Sequence, residues 1–347
     1  MNSRQRVLTA LAGGIPDRVP YLELYVDEFF AHRLLGLPPP QRPSPMSGET
    51  PVTAGYFGGQ NYSPLELARA LDLDGFCLSI QPQIYFDVRL SDGQNFVAGG
   101  KIHHLSDLEM AQLPDPDEEA IYEPARRLLE QYRPEGYALG CFINLGSDPV
   151  ILSMGWDAFC YALYDEPKVV HTLFDLYSDW FARAVRHINT LGFDFIWAGD
   201  DVAFKSGPMI SPQLFRSLFL PYFRRVAEQI RLPWIFHTDG NFLPLLEDLL
   251  SLGMNALHPI EPEALDIAEV KRRLAGRAGL VGNIEINTLS TATPEEVEQL
   301  TRDTIRKIAP GGGYILSSSN SLTRSCRVEN VLAMVRTCRE CGRYPVE

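Results

Sequence analysis

Short apolar runs alternate with longer amphipathic segments along most of the chain. The runs are rich in isoleucine, leucine, valine, phenylalanine and tyrosine, which is typical of strands buried on both faces. Eight such runs occur, at residues 19–25, 75–80, 137–144, 193–201, 233–240, 256–262, 280–285 and 313–320. Helical patterns separate most of them, and three clear examples cover residues 211–229, 243–252 and 293–309.

Alternating strands and helices predict parallel pairing through crossover helices, and eight such units are the number that closes a barrel. The sequence therefore predicts an α/β fold, a single (β/α)8 TIM barrel over residues 1–347. An open doubly wound sheet is the alternative, which is less favoured because no G-x-G-x-x-G motif opens a helix after an early strand. Residues 37–62 have a loop-like composition, and residues 81–104 are typical of a β-hairpin turning at residues 91–93. Both regions are expected to cover the C-terminal face, or mouth, of the barrel.

The chain is acidic: its 347 residues include 31 lysines and arginines against 44 aspartates and glutamates, a formal net charge of -13 at pH 7. This balance argues against a nucleic-acid or anionic-membrane surface, because phosphate groups attract clusters of basic residues. No uncharged stretch reaches the roughly 18 residues of a membrane helix, and the first residues do not resemble a signal peptide. We therefore expect a cytoplasmic protein.

Six cysteines are too sparse for a disulfide framework in a chain of this length. Only Cys338 and Cys341 form a C-x-x-C pair. The pair is either half of a metal or redox site, or two cysteines one turn apart on a terminal helix. Because no second C-x-x-C accompanies it, the sequence favours the helix.

Polar residues end five consecutive runs, at the positions where the strands of a barrel carry its chemistry. One strand that ends in aspartate is common, because aspartate caps helices. Five strands in succession that end in carboxylate, imidazole or amide groups are harder to explain by capping. The candidate catalytic residues are Asp200, Asp201, His237 and Glu261, and the candidate substrate-binding residues are Glu23, Asn144, Lys205, Asn283, Ser318 and Asn320.

His237 and Asp239 form the candidate metal site. Residues two apart on a strand share a face, so both side chains can point at one position, and imidazole with carboxylate suits zinc or another divalent first-row metal. Two alternatives use the same residues: a helix cap beside a buried histidine, or proton transfer without metal. Adjacent residues point to opposite faces, so at most one of Asp200 and Asp201 enters the mouth unless the chain turns there.

Five blocks of the sequence resemble the uroporphyrinogen decarboxylase superfamily. They read RVLTALAGGIPDRVP at residues 6–20, GDDVAFKSGPMISPQLFRSLFLPY at 199–222, HTDGN at 237–241, GNIE at 282–285 and GGGYILSSSN at 311–320. The resemblance spans essentially the whole chain and implies a (β/α)8 barrel. The superfamily includes the decarboxylase itself and corrinoid-linked methyltransferases.

The chain departs from both of these branches. The decarboxylases carry an arginine-rich segment that grips the substrate carboxylates, whereas residues 21–30 here read YLELYVDEFF, acidic and without arginine. The methyltransferases bind zinc through an H-x-C motif and a later cysteine. His237 matches that histidine, but Asp239 and Asn320 stand at the cysteine positions. The resemblance therefore implies a harder site of nitrogen and oxygen ligands, or a site without metal.

The first hypothesis is a corrinoid-linked, methyltransferase-like enzyme that acts on a small methylated or methyl-accepting substrate. His237 and Asp239 would hold a divalent metal, with Asp201 and Glu261 nearby as acid, base or additional ligands. One alternative is uroporphyrinogen decarboxylase or a related lyase that manages protons without metal, and another is a non-catalytic binding barrel. The expected partners are the substrate, a corrinoid protein as methyl carrier and a second copy of the chain in a homodimer.

Overall fold

Seven parallel strands form one curled sheet at the centre of the molecule. The computed structural model describes residues 1–40, 48, 59, 61–91 and 94–346. Strands are numbered along the chain together with two small hairpins, and neighbours in the sheet follow one another in chain order. The strands of the sheet are β1 (Gly75–Ser79), β4 (Ala138–Ile143), β5 (Phe195–Gly199), β8 (Trp234–His237), β9 (Ala256–His258), β10 (Gly279–Val281) and β11 (Tyr314–Ile315).

The register of the sheet brings the carboxyl ends of its strands side by side. Gly199 of β5 lies opposite His237 of β8, and His237 lies opposite His258 of β9. Inside the curl, an apolar cluster that includes Trp197 and Ile235 is separate from the larger core between strands and helices. This architecture confirms the predicted α/β organisation, and it brings the polar residues that follow the strands to one edge of the sheet.

Residues 19–25, predicted as the first of eight strands, contain one isolated bridge instead of a regular strand. Tyr21 makes a parallel bridge with Leu316, and its carbonyl accepts a hydrogen bond from the N–H of Asp74 just before β1. Regular pairing is limited because Pro20 has no N–H, and because Tyr21 donates its own N–H to the Asp74 carboxylate at 2.9 Å. The segment therefore contacts both edges of the sheet. Among the described residues, however, the sheet has seven regular strands and not eight.

Helices occupy most of the connections between the strands. They are α1 (Ser3–Leu11), α2 (Glu28–Leu35), α3 (Pro64–Ala70), α4 (Glu123–Tyr132), α5 (Ser147–Met154), α6 (Trp156–Asp165), α7 (Pro167–Leu191), α8 (Pro212–Leu214), α9 (Leu220–Ala227), α10 (Leu246–Leu250), α11 (Ile267–Leu274), α12 (Ile286–Thr291), α13 (Pro294–Ile308) and α14 (Val328–Cys341). The predicted helix at residues 211–229 is present, with a π-helical turn between α8 and α9. The other two predicted helices correspond to α10 with a preceding 3-10 turn and to α13.

An antiparallel hairpin of β2 (Phe86–Ser91) and β3 (Gln94–Gly100) follows β1 and confirms the hairpin predicted within residues 81–104. Its turn at residues 92–93 lies outside the described residues, as does most of the predicted loop at residues 37–62. The N–H of Lys101 donates to the carbonyl of Ser153 in α5 at 2.8 Å, so the hairpin rests on the helix that follows β4. A second hairpin, β6 (Ala203–Phe204) and β7 (Gly207–Pro208), follows β5.

The C-x-x-C pair lies on the last helix. Cys338 and Cys341 both belong to α14, their thiols are free, and Cys338 is buried. Of the two interpretations of this pair, the structure agrees with the terminal helix. Within the described part of the chain, no helix has the length and apolar character needed to cross a membrane.

Candidate metal and catalytic site

Three ligand groups converge at the mouth, and we call them the ligand cluster: Asp201, His237 and Asp239. Asp201 follows β5, His237 ends β8, and Asp239 comes two residues later. One ligand atom from each side chain lies within 4.8 Å of those from the other two. The Nε2 atom of His237 is 3.8 Å from a carboxylate oxygen of each aspartate, and the N–H of Asp239 donates to Asp201 at 2.9 Å. The alternation rule therefore predicted correctly that His237 and Asp239 share a direction.

The carboxylate of Asp239 is only half satisfied. Its Oδ2 atom accepts a hydrogen bond from the amide of Asn320 at 2.7 Å, whereas its Oδ1 atom is buried and accepts none from the described residues. Burial, together with the nearby carboxylates of Asp201 and Glu261, raises the pKa of Asp239 to about 8. A buried oxygen without a donor is costly, because it has lost its water without gaining a partner. A cation bound at this position would remove that cost.

The imidazole of His237 has two different sides. Its Nδ1 atom is 2.7 Å from Nδ1 of His258, so its Nε2 atom is the one that faces the two aspartates. Burial lowers the pKa of His237 and, more strongly, that of His258, which also lies beside His237. Both rings are therefore kept neutral, and neutral imidazole is the form that binds a metal or accepts a proton.

A line of buried polar groups continues behind this pair. The Nε2 atom of His258 is 3.5 Å from the hydroxyl of Ser317, which in turn is 3.4 Å from the Glu23 carboxylate. Glu23 also accepts hydrogen bonds from the N–H of Ser318 at 3.1 Å and from its hydroxyl at 2.6 Å. Burial raises the pKa of Glu23 to about 7. We call Glu23, Ser317 and His258 the buried polar chain.

Charged residues line a cavity of about 170 Å³ beside the cluster. Glu261 accepts a hydrogen bond from the N–H of Gly240 at 2.7 Å, which places its carboxylate next to Asp239. Lys205 lies at the edge of this cavity and pairs with Glu263. Asn320 lines the cavity as well. The predicted residues Lys205, Glu261 and Asn320 thus line one small cavity, and Asn320 joins it to the ligand cluster through its hydrogen bond to Asp239.

Other predicted site residues lie outside the cluster, with their polar atoms engaged in the scaffold. Asp200 is fully buried and accepts hydrogen bonds from the N–H of Leu145 and from Ser147 and Asp148 at the start of α5. Burial raises the pKa of Asp200 to about 6. The amide of Asn144 donates to the carbonyl of Gly199, and that of Asn283 donates to the carbonyl of Ile260. Glu23 and Ser318 bind each other, as described above. Direct roles for these residues in catalysis or binding stay predictions.

Sequence reasoning gave no role to three residues that the structure places at the site. His258 ends β9 and was visible as a polar strand end, but its contact with His237 depends on strand register. Ser317 comes two residues after β11 and was visible as a polar residue in the same way. Asp148 accepts the N–H of Asp201 at 3.0 Å, and burial beside Asp200 and Asp201 raises its pKa well above the ordinary value. The sequence feature that could have identified Asp148 is a carboxylate in the first turn of the helix that follows a strand.

The ligand cluster offers one imidazole nitrogen and carboxylate oxygens, without a thiolate among its members. The pattern suits divalent first-row ions that accept both nitrogen and oxygen, including manganese, iron, cobalt and zinc. The unpaired Oδ1 atom of Asp239 agrees with such an ion, because a cation is the partner that this oxygen lacks. The residues present therefore fit a divalent metal, although not the thiolate-rich site that the resemblance describes.

Comparison with known proteins identifies the family. The profile described as uroporphyrinogen decarboxylase (URO-D) matches residues 87–341, and the chain belongs to this family. A uroporphyrinogen decarboxylase from Coxiella burnetii is 27% identical over 183 residues, which cover 50% of this chain and 48% of that protein. The chain thus spans about half the length of that relative.

Methyltransferases are similar to the chain as well. The methylcobamide:CoM methyltransferase MtaA from Methanosarcina barkeri is 27% identical over 225 residues, 62% of each protein. A solved methyltransferase from Methanosarcina mazei superposes with a TM-score of 0.75 over 98% of this chain and 99% of its own, at 18% identity. This likeness shows that the two proteins share a fold. The relatives are named as enzymes of two kinds, decarboxylases and methyltransferases.

Proposed function

We propose that this chain is a metal-assisted, methyltransferase-like enzyme that acts on a small methylated or methyl-accepting substrate, with a corrinoid protein as methyl carrier. The observation that carries the proposal is the convergence of Asp201, His237 and Asp239 within 4.8 Å, with an unpaired buried oxygen among them. The names of the similar methyltransferases support the methyl-transfer part, and one of them names methylcobamide. The same fold in a methyltransferase agrees with it.

Each residue of the site has a role in this proposal. Asp201, His237 and Asp239 would hold a divalent cation, which would supply Lewis-acid polarisation of the substrate atom that gives or receives the methyl group. His237 offers its Nε2 lone pair, and Asn320 holds the Asp239 carboxylate in place by its hydrogen bond. Glu261 lies beside the cluster as an acid or base, and Lys205 at the cavity edge orients the substrate.

The charge of the mouth favours methyl transfer over decarboxylation of uroporphyrinogen. Asp201 and Glu261 lie there, and the cavity of about 170 Å³ beside the ligand cluster adds Glu263 and Glu285 against Lys205. A substrate that carries many carboxylates would be repelled by this surface. The acidic segment at residues 21–30 contains no arginine to offset the repulsion.

The first run completes the barrel in this proposal. Its segment makes backbone contacts with residues next to both edge strands, at Leu316 and at Asp74. We propose that residues 19–25 occupy the eighth position of a closed (β/α)8 barrel. Glu23 would then be the carboxylate that this position contributes to the interior.

Metal binding and methyl transfer by the purified protein test the proposal. We expect the protein to hold about one divalent ion per chain after incubation with zinc, cobalt or manganese, and to demethylate methylcobalamin in the presence of a thiol or amine acceptor. His237→Ala and Asp239→Ala should lose both properties, while His171→Ala, an exposed position on α7, should keep them. A wild-type protein that binds no divalent ion would contradict the proposal, and turnover of uroporphyrinogen would support the decarboxylase instead.

A further inference from the structure

The contact between the two histidines leaves room for one proton. Both atoms in the contact are Nδ1 atoms, and they lie 2.7 Å apart. A hydrogen bond at this distance needs one protonated and one unprotonated nitrogen. Since a neutral imidazole carries its proton on only one nitrogen, the choice made here also decides the state of both Nε2 atoms. If His237 donates, its Nε2 has a free lone pair, and if His258 donates, the Nε2 of His237 carries hydrogen.

The other end of the buried polar chain determines this choice. Ser318 directs two donors at Glu23, its N–H to Oε1 and its hydroxyl to Oε2. Ser317 has one hydroxyl proton and lies between Glu23 and His258. An ionised carboxylate can only accept, so the Ser317 hydroxyl donates to Glu23 and its oxygen remains free to accept from His258.

The proton positions on His258 and His237 follow from the direction of the hydrogen bond that Ser317 makes. When His258 donates from Nε2 to Ser317, its Nδ1 atom is unprotonated and accepts from Nδ1 of His237. The Nε2 atom of His237 then presents a lone pair to Asp201 and Asp239. Burial supports this ordering: Glu23, His258 and Ser317 are each at most 1% exposed, and the rings of Trp197 and His258 form a T-shaped pair with their centroids 4.9 Å apart.

We propose that Glu23, Ser317 and His258 are positioning residues that fix the tautomer of His237, so that its Nε2 lone pair faces the ligand cluster. The inference rests on the proposed function in one respect, since an unprotonated Nε2 matters most if the site binds a cation. Outer partners of this kind orient metal-binding histidines in general, and their loss weakens metal binding by about 10- to 100-fold. Glu23 acts in this arrangement through other residues and not by touching the substrate.

Glu23→Gln tests the proposal because it should reverse the direction of the hydrogen bonds along the buried polar chain, while the side chain at position 23 keeps its size. The N–H of Ser318 requires an oxygen at the Oε1 position, so the amide nitrogen must take the Oε2 position beside Ser317. It would donate to the hydroxyl oxygens of Ser317 and Ser318, and the Ser317 hydroxyl would then donate to Nε2 of His258. His258 would donate from Nδ1, and Nε2 of His237 would carry the proton.

The primary measurement is nitrogen-15 NMR of histidine-labelled, metal-free protein at pH 8. At this pH Glu23 is mainly ionised, since its pKa lies at about 7. We expect the protonated nitrogen of His237 to be Nδ1 in the wild type and Nε2 in Glu23→Gln. In parallel, the Kd for Co²⁺ should rise by about 10-fold or more in the variant. Glu28→Gln, which changes another buried glutamate that is not part of the buried polar chain, should leave both the protonated nitrogen of His237 and the Kd for Co²⁺ unchanged.

Ser317 provides the second variant. Ser317→Ala removes the link between Glu23 and His258 and should leave His237 as a mixture of tautomers, whereas Ser317→Thr keeps the hydroxyl and should restore the wild-type state. An unchanged protonated nitrogen of His237 in Glu23→Gln and Ser317→Ala would overturn the inference. If the tautomer switches while wild-type protein binds no cobalt, the inference stands and the proposed function fails.

Discussion

Glu23 makes the stability of the protein depend on pH. Burial raises its pKa from 4.5 to about 7, so the folded chain holds more protons than the unfolded chain between these values. The contribution of Glu23 to the free energy of unfolding is therefore fully present below pH 4.5 and falls as the pH rises towards 7. The shift corresponds to about 3 kcal/mol.

Glu23→Gln should remove this dependence. We expect the free energy of unfolding of the wild type, minus that of the variant, to decrease by about 3 kcal/mol from pH 4.5 to pH 8. Urea unfolding at several pH values measures it. A difference that stays constant with pH would show that Glu23 titrates normally in the folded protein.

Single residues of the site were predictable to the extent that strand geometry controls them. The alternation of side chains placed His237 and Asp239 together and separated Asp200 from Asp201, and the structure agrees with both. The contact of His237 with His258 was not predictable, because it needs the register of β8 against β9 and the rotation of both rings.

At the scale of elements, α5 depends on a carboxylate from a different strand. Asp200, just after β5, accepts from three donors at the beginning of α5, although the helix itself begins at Gly146 and Ser147 without a side-chain cap of its own. Because Asp200 is fully buried, these donors have no access to water as a replacement.

Asp200→Ala should destabilise the protein by about 2–4 kcal/mol, since it leaves several buried donors without an acceptor. The exposed cap of α11 offers a matched control: Asp266→Ala, which removes a hydrogen bond to Ala268, should have an effect near 1 kcal/mol. Denaturant unfolding compares the two variants. Equal small effects would contradict the structural role assigned to Asp200.

Helices and strands were predicted well where a single hydrophobic periodicity extends over the whole segment. Seven apolar runs are strands of the sheet, and the helix predicted at residues 293–309 is α13. Residues 211–229 show a helical period, but Pro221 has no N–H to continue the α-helical pattern, and a π-helical turn precedes it. The first run was apolar like the others, yet its hydrogen bonds go partly to a side chain.

At the scale of the whole molecule, Asp74 joins parts of the chain that are far apart in sequence. Its buried carboxylate pairs with Arg6 at 2.6 Å, Arg18 at 2.9 Å and Arg339 at 3.2 Å. It also accepts the N–H of Tyr21. One carboxylate therefore ties α1, the first run and α14 to the start of β1.

Asp74→Asn should lower the free energy of unfolding by about 3–5 kcal/mol, because three guanidinium groups lose their buried counter-charge. Asp72→Asn, which removes an exposed partner of Arg339, should change it by about 1 kcal/mol or less. The midpoints of thermal or denaturant unfolding measure both effects. Similar values for the two variants would show that the buried charges contribute little to the fold.

The α/β organisation and the parallel sheet followed from the alternation of apolar runs and helical segments, which have few ways to pack, whereas the count of eight strands exceeds the seven regular strands of the described sheet. The ligand chemistry followed less directly. The resemblance indicated a change of donor type at Asp239 and Asn320, and the three-dimensional arrangement selects Asp201 from the additional ligands that the sequence offered.

The hydrogen bond between Glu23 and Ser318 connects residues that are 295 positions apart. A ribosome produces the amino-terminal end first, so Glu23 exists long before its donors have been translated. Until β11 emerges, the nascent chain contains His237 and Asp239 but lacks the groups that orient the imidazole. Under the proposed function, a chain that lacks β11 and the residues after it would contain the ligand cluster without the hydroxyl groups that orient its imidazole.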